Sequence, residues 1–274
     1  MSTTQVESNY MLHRRFDRFG RLVGDEKMEK LFRAHVCVIG LGGVGSWAAE
    51  SLARSGIGRL TVVDFDDICI TNANRQLHAL QGLVGQKKAQ VMAERLRKIN
   101  PQAKVEDLVM FYNQETSDEI LGRKPDFILD CIDNLTAKSH LITRALELGI
   151  PLITATGAGA RLDPSKVKIA DLSESHTDPM AAQLRKILRA KHQFPKVEGS
   201  FGVPCVFSDE TPMQPVALHY DNGEGFKCVC PQGQNDLHSC DRRNVIYGNA
   251  SFVTGTFGFT MASWVVRKIV GAAV

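Results

Sequence analysis

No apolar run in this sequence of 274 residues is long enough to declare a membrane span. The least charged stretch, 250–266, carries Phe252, Phe257, Phe259, Trp264, Val265 and Val266, interrupted by Gly255, Gly258 and several Thr and Ser. A spanning helix needs about 20 predominantly apolar residues, so a buried or surface-docking helix is expected, with membrane association through this segment as the alternative. The opening residues lack the basic-then-apolar pattern of a secretory leader, and the expected compartment is the cytoplasm. Neither an internal repeat nor a low-complexity tract is present, which excludes solenoids and compositionally biased arrays. Cysteine is sparse and odd in number, at seven, which argues for reduced thiols rather than a disulfide framework. The charge excess is only +3, so an anionic partner is permitted but not announced.

What remains is an ordinary globular balance, 43% hydrophobic and 23% charged, in a length that suits one large α/β domain or two small ones. The signals run strand, glycine turn, helix, strand. His35-Val-Cys-Val-Ile39 is too short for a helix and reads as a buried parallel strand. Ser46 then caps a helix from Trp47 to Arg54, which Gly56 ends. Leu60–Val63 is a second strand and 87–99 a helix, with Ala89, Met92, Leu96 and Ile99 at spacings of three and four before Asn100-Pro101 stops it. Further strands are expected over 105–110, 127–129 and 150–156, with a helix bearing Leu141, Ala145 and Leu148 before the last. This alternation predicts an α/β fold, a doubly wound, mainly parallel, Rossmann-like sheet. Beyond Gly157 the pattern degrades, apart from a helix over 180–191 announced by Asp178-Pro179, and 195–249 reads as turns. We expect one domain, with a nucleotide-binding core about 33–160 and a substrate-side region about 161–274.

Gly40-Leu-Gly42-Gly43-Val-Gly45 follows a strand and opens a helix, the context that makes a glycine pattern a phosphate-binding loop. Asp64 ends the second strand, where an acid can hold ribose hydroxyls. To this point NAD and ATP serve equally well. Three clusters separate them. Asn72-Ala-Asn74-Arg75-Gln76 sets a cation among amides, and Gly85-Gln-Lys-Lys88 sets lysines in the first turn of a helix, the unfavourable end of its dipole. Asp130-Cys-Ile-Asp133-Asn134 puts carboxylates at the carboxyl end of a strand, where open α/β sheets bind ligands. Carboxylates beside phosphate repel it unless a divalent metal lies between them, which predicts Mg2+. Pyridine dinucleotides need neither metal nor extra cations, whereas cleavage at the α-phosphate of a nucleoside triphosphate needs both. The expected cofactors are ATP and Mg2+.

The glycine loop, Asp64-Phe-Asp66, 72–76, the Lys88 helix and Asp133-Asn134 resemble, in order and spacing, the ubiquitin-activating-enzyme superfamily, which includes the molybdopterin and thiamin sulfur-carrier activators. Within it the chain most resembles the tRNA threonylcarbamoyladenosine dehydratases. The segments that carry this are Gly43–Glu50, Arg75–Leu80, Ala155–Gly159, Asp163-Pro164, Asp178–Ala182, Val203–Ser208 and Thr256–Phe259, together covering about residues 10 to 267. The resemblance implies that Gly40, Gly42, Gly43, Gly45, Asp64, Asp66, Asn74, Arg75, Lys88 and Asp133 bind ATP or its metal. Asp133 would be the Mg2+ ligand, while Asp130 shapes the strand end. Arg15-Phe-Asp-Arg18 resembles the arginine motif that reaches into a partner subunit's ATP site, which implies a homodimer with Arg18 acting across it.

The implied reaction joins the threonyl carboxylate of threonylcarbamoyladenosine in tRNA to AMP. The urea-like group of the same molecule then closes a ring and releases AMP. Holding both groups in one molecule supplies a large effective molarity, so no protein nucleophile is required. Cys37, Cys69 and Cys131 read as small core residues, and Cys205 is the candidate for a thioester or persulfide. Cys228, Cys230, His238 and Cys240 have either a metal-ligand role or none, for they lack the paired Cys-x-x-Cys knuckles of the sulfur-carrier activators. A cysteine-desulfurase or sulfur-acceptor partner is a further expectation. Arg185, Lys186, Arg189 and Lys191, extended by Arg161 and Lys166, form either a tRNA phosphate surface or an ordinary solvated face. Two other readings compete, adenylation of the C-terminal Gly of a ubiquitin-like sulfur carrier and a catalytically silent scaffold.

Overall fold

The computed structural model describes residues 11, 13–196, 199–216, 218 and 247–273. Its centre is β1 (His35–Ile39), every residue of which is buried. Side chains alternate across a strand. Val36 and Val38 therefore enter one core, and Cys37 and Ile39 the other. On either side of β1 run β2 (Arg59–Val63) and β4 (Phe127–Asp130), both parallel to it. The sheet continues outward through β3 (Lys104–Leu108) on one flank and β5 (Leu152–Ala155), β7 (Pro204–Ser208) and β6 (Val167–Asp171) on the other. The order is β3-β2-β1-β4-β5-β7-β6, all parallel except the β6–β7 pair.

Helices cover both faces. One core layer takes α2 (Asp25–Arg33), α3 (Gly45–Arg54), α4 (Lys88–Ile99) and α8 (Ser251–Val270), through Met28, Leu31, Leu52, Met92, Leu96, Phe257 and Met261. The other takes α5 (Gln114–Leu121), α6 (Leu135–Glu147) and α7 (Pro179–Lys191), through Ile120, Leu141, Ile142, Leu184 and Leu188. Ahead of them, α1 (Asp17–Val23) leads into α2 through Gly24.

The expected strands and helices are found, with ends displaced by one or two residues. The third strand stops at Leu108 rather than Met110, and the fifth spans only Leu152–Ala155. Ser46 does not cap α3. It lies inside the helix, and its hydroxyl donates to Gly42 O at 2.7 Å. The stretch 195–249, read as turns, contains β7, whose residues 205–208 are all buried.

The uncharged segment near the C-terminus is α8, a core helix packed on α3. No helix among the described residues is long and apolar enough to cross a membrane. Its glycines explain its composition. Gly255 lies against the Trp47 ring, and a Cβ on Gly258 would meet Val44 O at 2.5 Å and Ala48 N at 2.8 Å. The two helices thus touch backbone to backbone, beside the start of α3.

In an exposed helix interior, Gly→Ala stabilises by about 1 kcal/mol. Gly258→Ala should do the opposite, destabilising by roughly 1–3 kcal/mol because neither Val44 O nor Ala48 N can retreat without moving α3. Urea unfolding reads the sign directly, and a gain in stability would mean that the α3–α8 contact is looser than described.

Candidate functional site

Parallel strands end together, so the loops after β1, β2, β4 and β5 meet at one edge. The loop after β1 is tightly determined. Gly40 has φ +89, its N–H donates to Val63 O at 2.8 Å, and a Cβ there would lie 2.7 Å from Cys131 O. A Cβ on Gly45 would collide with the Gly40 carbonyl. A Cβ on Gly43 would lie 3.2 Å from the Thr254 side chain of α8. At Gly42 the nearest atom is Gln76 Nε2, 3.9 Å from where a Cβ would stand. Gly40 and Gly45 are thus needed by internal packing, and Gly42 is where the loop leaves room.

Asp64 ties this loop to β2. Its Oδ2 accepts Leu41 N–H at 2.7 Å, and its Oδ1 accepts Asp66 N–H at 2.9 Å. Burial pushes the Asp64 carboxyl pKa up, against the opposing pull of Lys88. Lys88, first residue of α4, donates to Asp66 Oδ2 at 2.9 Å and is almost fully buried. Burial disfavours its charge, but Asp64, Asp66 and Asp133 outweigh that and raise its pKa. This resolves the puzzle of lysines at a helix N-terminus: Lys88 answers to carboxylates on neighbouring loops, and Lys87 pairs with Asp67 at 2.8 Å. Asp133, exposed at the carboxyl end of β4, belongs to the same electrostatic group.

The segment 72–78 is laced to the glycine loop through α3. Trp47 Nε1–H donates to Arg75 O at 3.0 Å, and Leu77 N–H donates to Ser46 Oγ at 3.3 Å. Arg75 Nη1 donates to Thr71 O and to Asn74 Oδ1, while Asn74 Nδ2 donates to Asn249 O at 2.9 Å. Two buried polar groups here have no hydrogen-bond partner among the described residues: Gln76 Oε1 and both ring nitrogens of His78. Burial, with help from Lys88, lowers the His78 pKa to about 3. His78 was not singled out from sequence, where nothing marks it as buried.

The chain belongs to the ThiF family. The family model matches residues 16–274. The tRNA threonylcarbamoyladenosine dehydratase of Escherichia coli K12 is 40% identical over 260 residues, 94% of each chain. The enzyme of the same name from Bacillus subtilis 168 is 46% identical over 203 residues, 74% of this chain and 77% of that one. Among solved structures, the E. coli dehydratase in complex with ATP superimposes with a TM-score of 0.80 at 37% identity, covering 94% of each chain. Within the family, this chain is a relative of the tRNA threonylcarbamoyladenosine dehydratases along nearly its whole length.

Several expected roles meet a different geometry. Cys205 is fully buried on β7, and burial pushes its thiol pKa up to about 12, so it has neither the access nor the thiolate fraction of a nucleophile. Arg161, read as part of either a tRNA phosphate surface or a solvated face, is buried and ion-paired to Asp178 at 3.6 Å. Arg185 donates to Ser175 O at 2.7 Å, and Arg189 donates to Pro195 O at 3.1 Å and stacks over Phe201. Of the basic residues of that helix, Lys186 and Lys191 stand exposed. Asp130 does shape its strand end: it is fully buried, paired with Lys138 at 2.7 Å and bound by Thr154 at 2.7 Å. Arg18 is exposed on α1. Cys228, Cys230, His238 and Cys240 lie outside the described residues.

The buried His78 makes a prediction about pH. Between its folded value of about 3 and the ordinary 6.5, the unfolded chain binds a proton that the folded chain refuses. Stability must therefore fall as pH drops below 6.5. Comparing urea midpoints at pH 7.5 and 5, His78→Gln should lose less stability on acidification than the wild type; equal losses would show that His78 is not the group responsible.

Proposed function

We propose that this chain is an ATP-dependent dehydratase of threonylcarbamoyladenosine in tRNA, acting through an acyl-adenylate. The observation that carries the reading is Lys88, a buried cation held among Asp64, Asp66 and Asp133, with Asp64 also holding the glycine loop through Leu41 N–H. A carboxylate resists displacement because oxide is a poor leaving group. A carboxylate oxygen attacking the α-phosphate forms a new P–O bond and releases pyrophosphate, and the acyl carbon then carries AMP as a good leaving group. The nitrogen of the urea-like group attacks that carbon, AMP departs with the bonding electrons, and the nitrogen's proton passes to water. The balance is loss of one water, driven by ATP.

Lys88 and Arg75 would neutralise the triphosphate, with the glycine loop and the N-terminus of α3 receiving phosphate oxygens. Asp64 and Asp66 would orient the loop and the ribose, and Asn74 would contribute its amide. The described residues hold no group of three or more His, Cys, Asp or Glu able to bind a metal by themselves. Mg2+ needs none, since it is typically held by one or two carboxylates together with substrate phosphates. Asp133, exposed at the carboxyl edge, fits that role, and the ion when bound would offset charge on the departing pyrophosphate. Arg18, exposed and remote from Lys88 in sequence, would serve a partner's site in a homodimer. A cytoplasmic compartment, where tRNA is present, fits this reading. A sulfur-transfer partner would have to act on Cys228, Cys230 or Cys240, because Cys37, Cys69 and Cys205 are buried and Cys131 is half-buried.

The test is pyrophosphate release from ATP in the presence of tRNA bearing threonylcarbamoyladenosine, or of a ubiquitin-like carrier ending in Gly-Gly. Release with the tRNA alone is expected; release with the carrier alone would move the assignment to carrier adenylation. Asp133→Ala should lower the tRNA-dependent rate roughly a hundredfold or more. Cys205→Ala should retain tRNA cyclisation, since the attacking group is intramolecular, and complete loss with normal folding and adenylation would place an enzyme thioester on the path. Mixing Arg18→Ala with Asp133→Ala protein should restore part of the activity, because one hybrid site in the dimer is then intact; no recovery, in a mixture shown to exchange subunits, would remove Arg18 from the partner's site.

A further inference from the structure

The loop after β5 is built with more care than a connection needs. Asp178, the N-cap of α7, accepts Ala181 N–H through Oδ1 at 3.0 Å. Its Oδ2 accepts Thr156 Oγ1–H at 2.8 Å and Gly157 N–H at 3.0 Å. Arg161 lies beneath the loop, and its Nη1 donates to both Gly157 O and Gly159 O. Ala160 and Thr177, each one residue before a member of this pair, have φ of +62 and +58. Positive φ at a β-branched residue is a genuine outlier and has to be imposed by its surroundings. Arg161 Nε is buried with no partner among the described residues. Both features cost stability that the surrounding contacts must offset.

The clamp fixes a direction. Among the described residues all the peptide bonds are trans. In a trans peptide the carbonyl and the next N–H point opposite ways. Because Arg161 draws the Gly157 and Gly159 carbonyls inward, the N–H groups of Ala158 and Ala160 face away from it. That of Ala160 donates to Gly248 O at 2.7 Å. That of Ala158 makes no hydrogen bond among the described residues. Both alanines are buried, and Ala158 lies in the core layer that also holds α3, the helix opened by the glycine loop. Asp130 pairs with Thr154 across β4 and β5, so the loops bearing Asp133 and Gly157 leave the sheet side by side. Asn249, next to Gly248, has its Oδ1 3.1 Å from where a Cβ on Gly159 would stand, and its backbone carbonyl accepts from Asn74.

We propose that the Ala158 N–H is a hydrogen-bond donor to the acyl oxygen of the carboxylate being activated, with Arg161 and Asp178 as the positioning residues that aim it. The inference rests on the adenylate chemistry proposed above. As the nitrogen attacks the acyl carbon, the C=O electrons move onto that oxygen before AMP leaves. A fixed donor there stabilises the transition state more than the ground state. Burying the two charged side chains under the loop keeps the donor aimed without exposing a cation that would compete with Lys88 for phosphate.

The test compares Arg161→Gln, Asp178→Asn and Gly157→Ala full-length protein with the wild type. The last is a gentler perturbation, placing a Cβ 3.3 Å from Asp178 Oδ1 while leaving both charges in place. Two quantities are read: the thermal shift produced by ATP alone, and kcat and KM for tRNA-dependent pyrophosphate and AMP release. We expect kcat for AMP release to fall about tenfold or more in the charge variants, with a smaller fall in Gly157→Ala, while the ATP-induced shift is preserved. Folded variants with wild-type kcat would overturn the proposal, as would a parallel loss of ATP binding, which would mark the clamp as general scaffolding. Should the charge variants fail to fold, Gly157→Ala alone decides between these outcomes. Wild-type protein that responds only to a carrier protein would instead remove the tRNA reading, and the same comparison on the carrier carboxylate would still decide the role of Ala158.

Discussion

A buried ammonium group governs this structure's carboxyl edge. Lys88 stands where a helix dipole disfavours it and where burial disfavours it again, yet its pKa is raised. Only the carboxylates around it make that sign possible. They sit on different parts of the edge: Asp64 holds the glycine loop through Leu41 N–H and the turn after β2 through Asp66 N–H, Asp66 pairs with Lys88 itself, and Asp133 marks the end of β4. An anionic ligand at this edge would meet a cation already held charged by its neighbours, the kind of preorganised charge that stabilises a developing anion. The same arrangement explains why one lysine of the Lys87-Lys88 pair is structural and the other is central to the edge. Lys87 reaches back to Asp67, whereas Lys88 faces the converging loops.

The parts of the fold legible in sequence were those whose hydrophobic pattern is local. The strand at His35–Ile39 and the helix at Lys88–Ile99 carry their period in adjacent residues, and Asp178-Pro179 announces α7 by cap chemistry alone. Both β6 and β7 escaped notice for a different reason. β6 is an edge strand with no fully buried residue, so its sequence Val-Lys-Ile-Ala-Asp shows only a weak alternation. β7 is buried but short, and it sits in a stretch dense in Gly, Pro and Cys, where turn signals dominate. Its identity depends on pairing with β5 and β6, whose partners lie some tens of residues upstream. α1 and α2 join through Gly24 at φ +85, a break that reads as an end rather than a corner.

The candidate site divides along the same line. Acids and glycines at strand ends were readable because the strand, turn and helix that place them are contiguous. Buried charges were not. Arg161 and Lys138 are buried and Arg185 half-buried, yet all three look like surface residues in a sequence, since Lys and Arg are almost never fully buried unless paired. Their partners, Asp178, Ser175 and Asp130, are 17, 10 and 8 positions away and become partners only once α6, α7 and the sheet have packed. For the Arg161–Asp178 pair, desolvation outweighs the attraction of Asp178 and lowers the Arg161 pKa. Such a pair is weak evidence for stability, and its persistence asks for a role beyond it.

The thiols complete this argument from the opposite direction. An enzyme that forms an acyl-adenylate and then transfers the acyl group to a distant nucleophile gains from a cysteine that can hold the group in between. In this chain the thiols of Cys37, Cys131 and Cys205 are all pushed to high pKa by burial, the reverse of what an attacking sulfur requires. That pattern is coherent with a substrate that carries its own nucleophile. Once the carboxylate and the attacking nitrogen belong to one molecule, the entropy that a covalent relay would otherwise save has already been removed by the substrate's own bonds. What the protein must still supply is charge stabilisation on the phosphate side and on the acyl side. The two loops proposed for this, after β1 and after β5, are each held by a buried acid, Asp64 under one and Asp178 under the other.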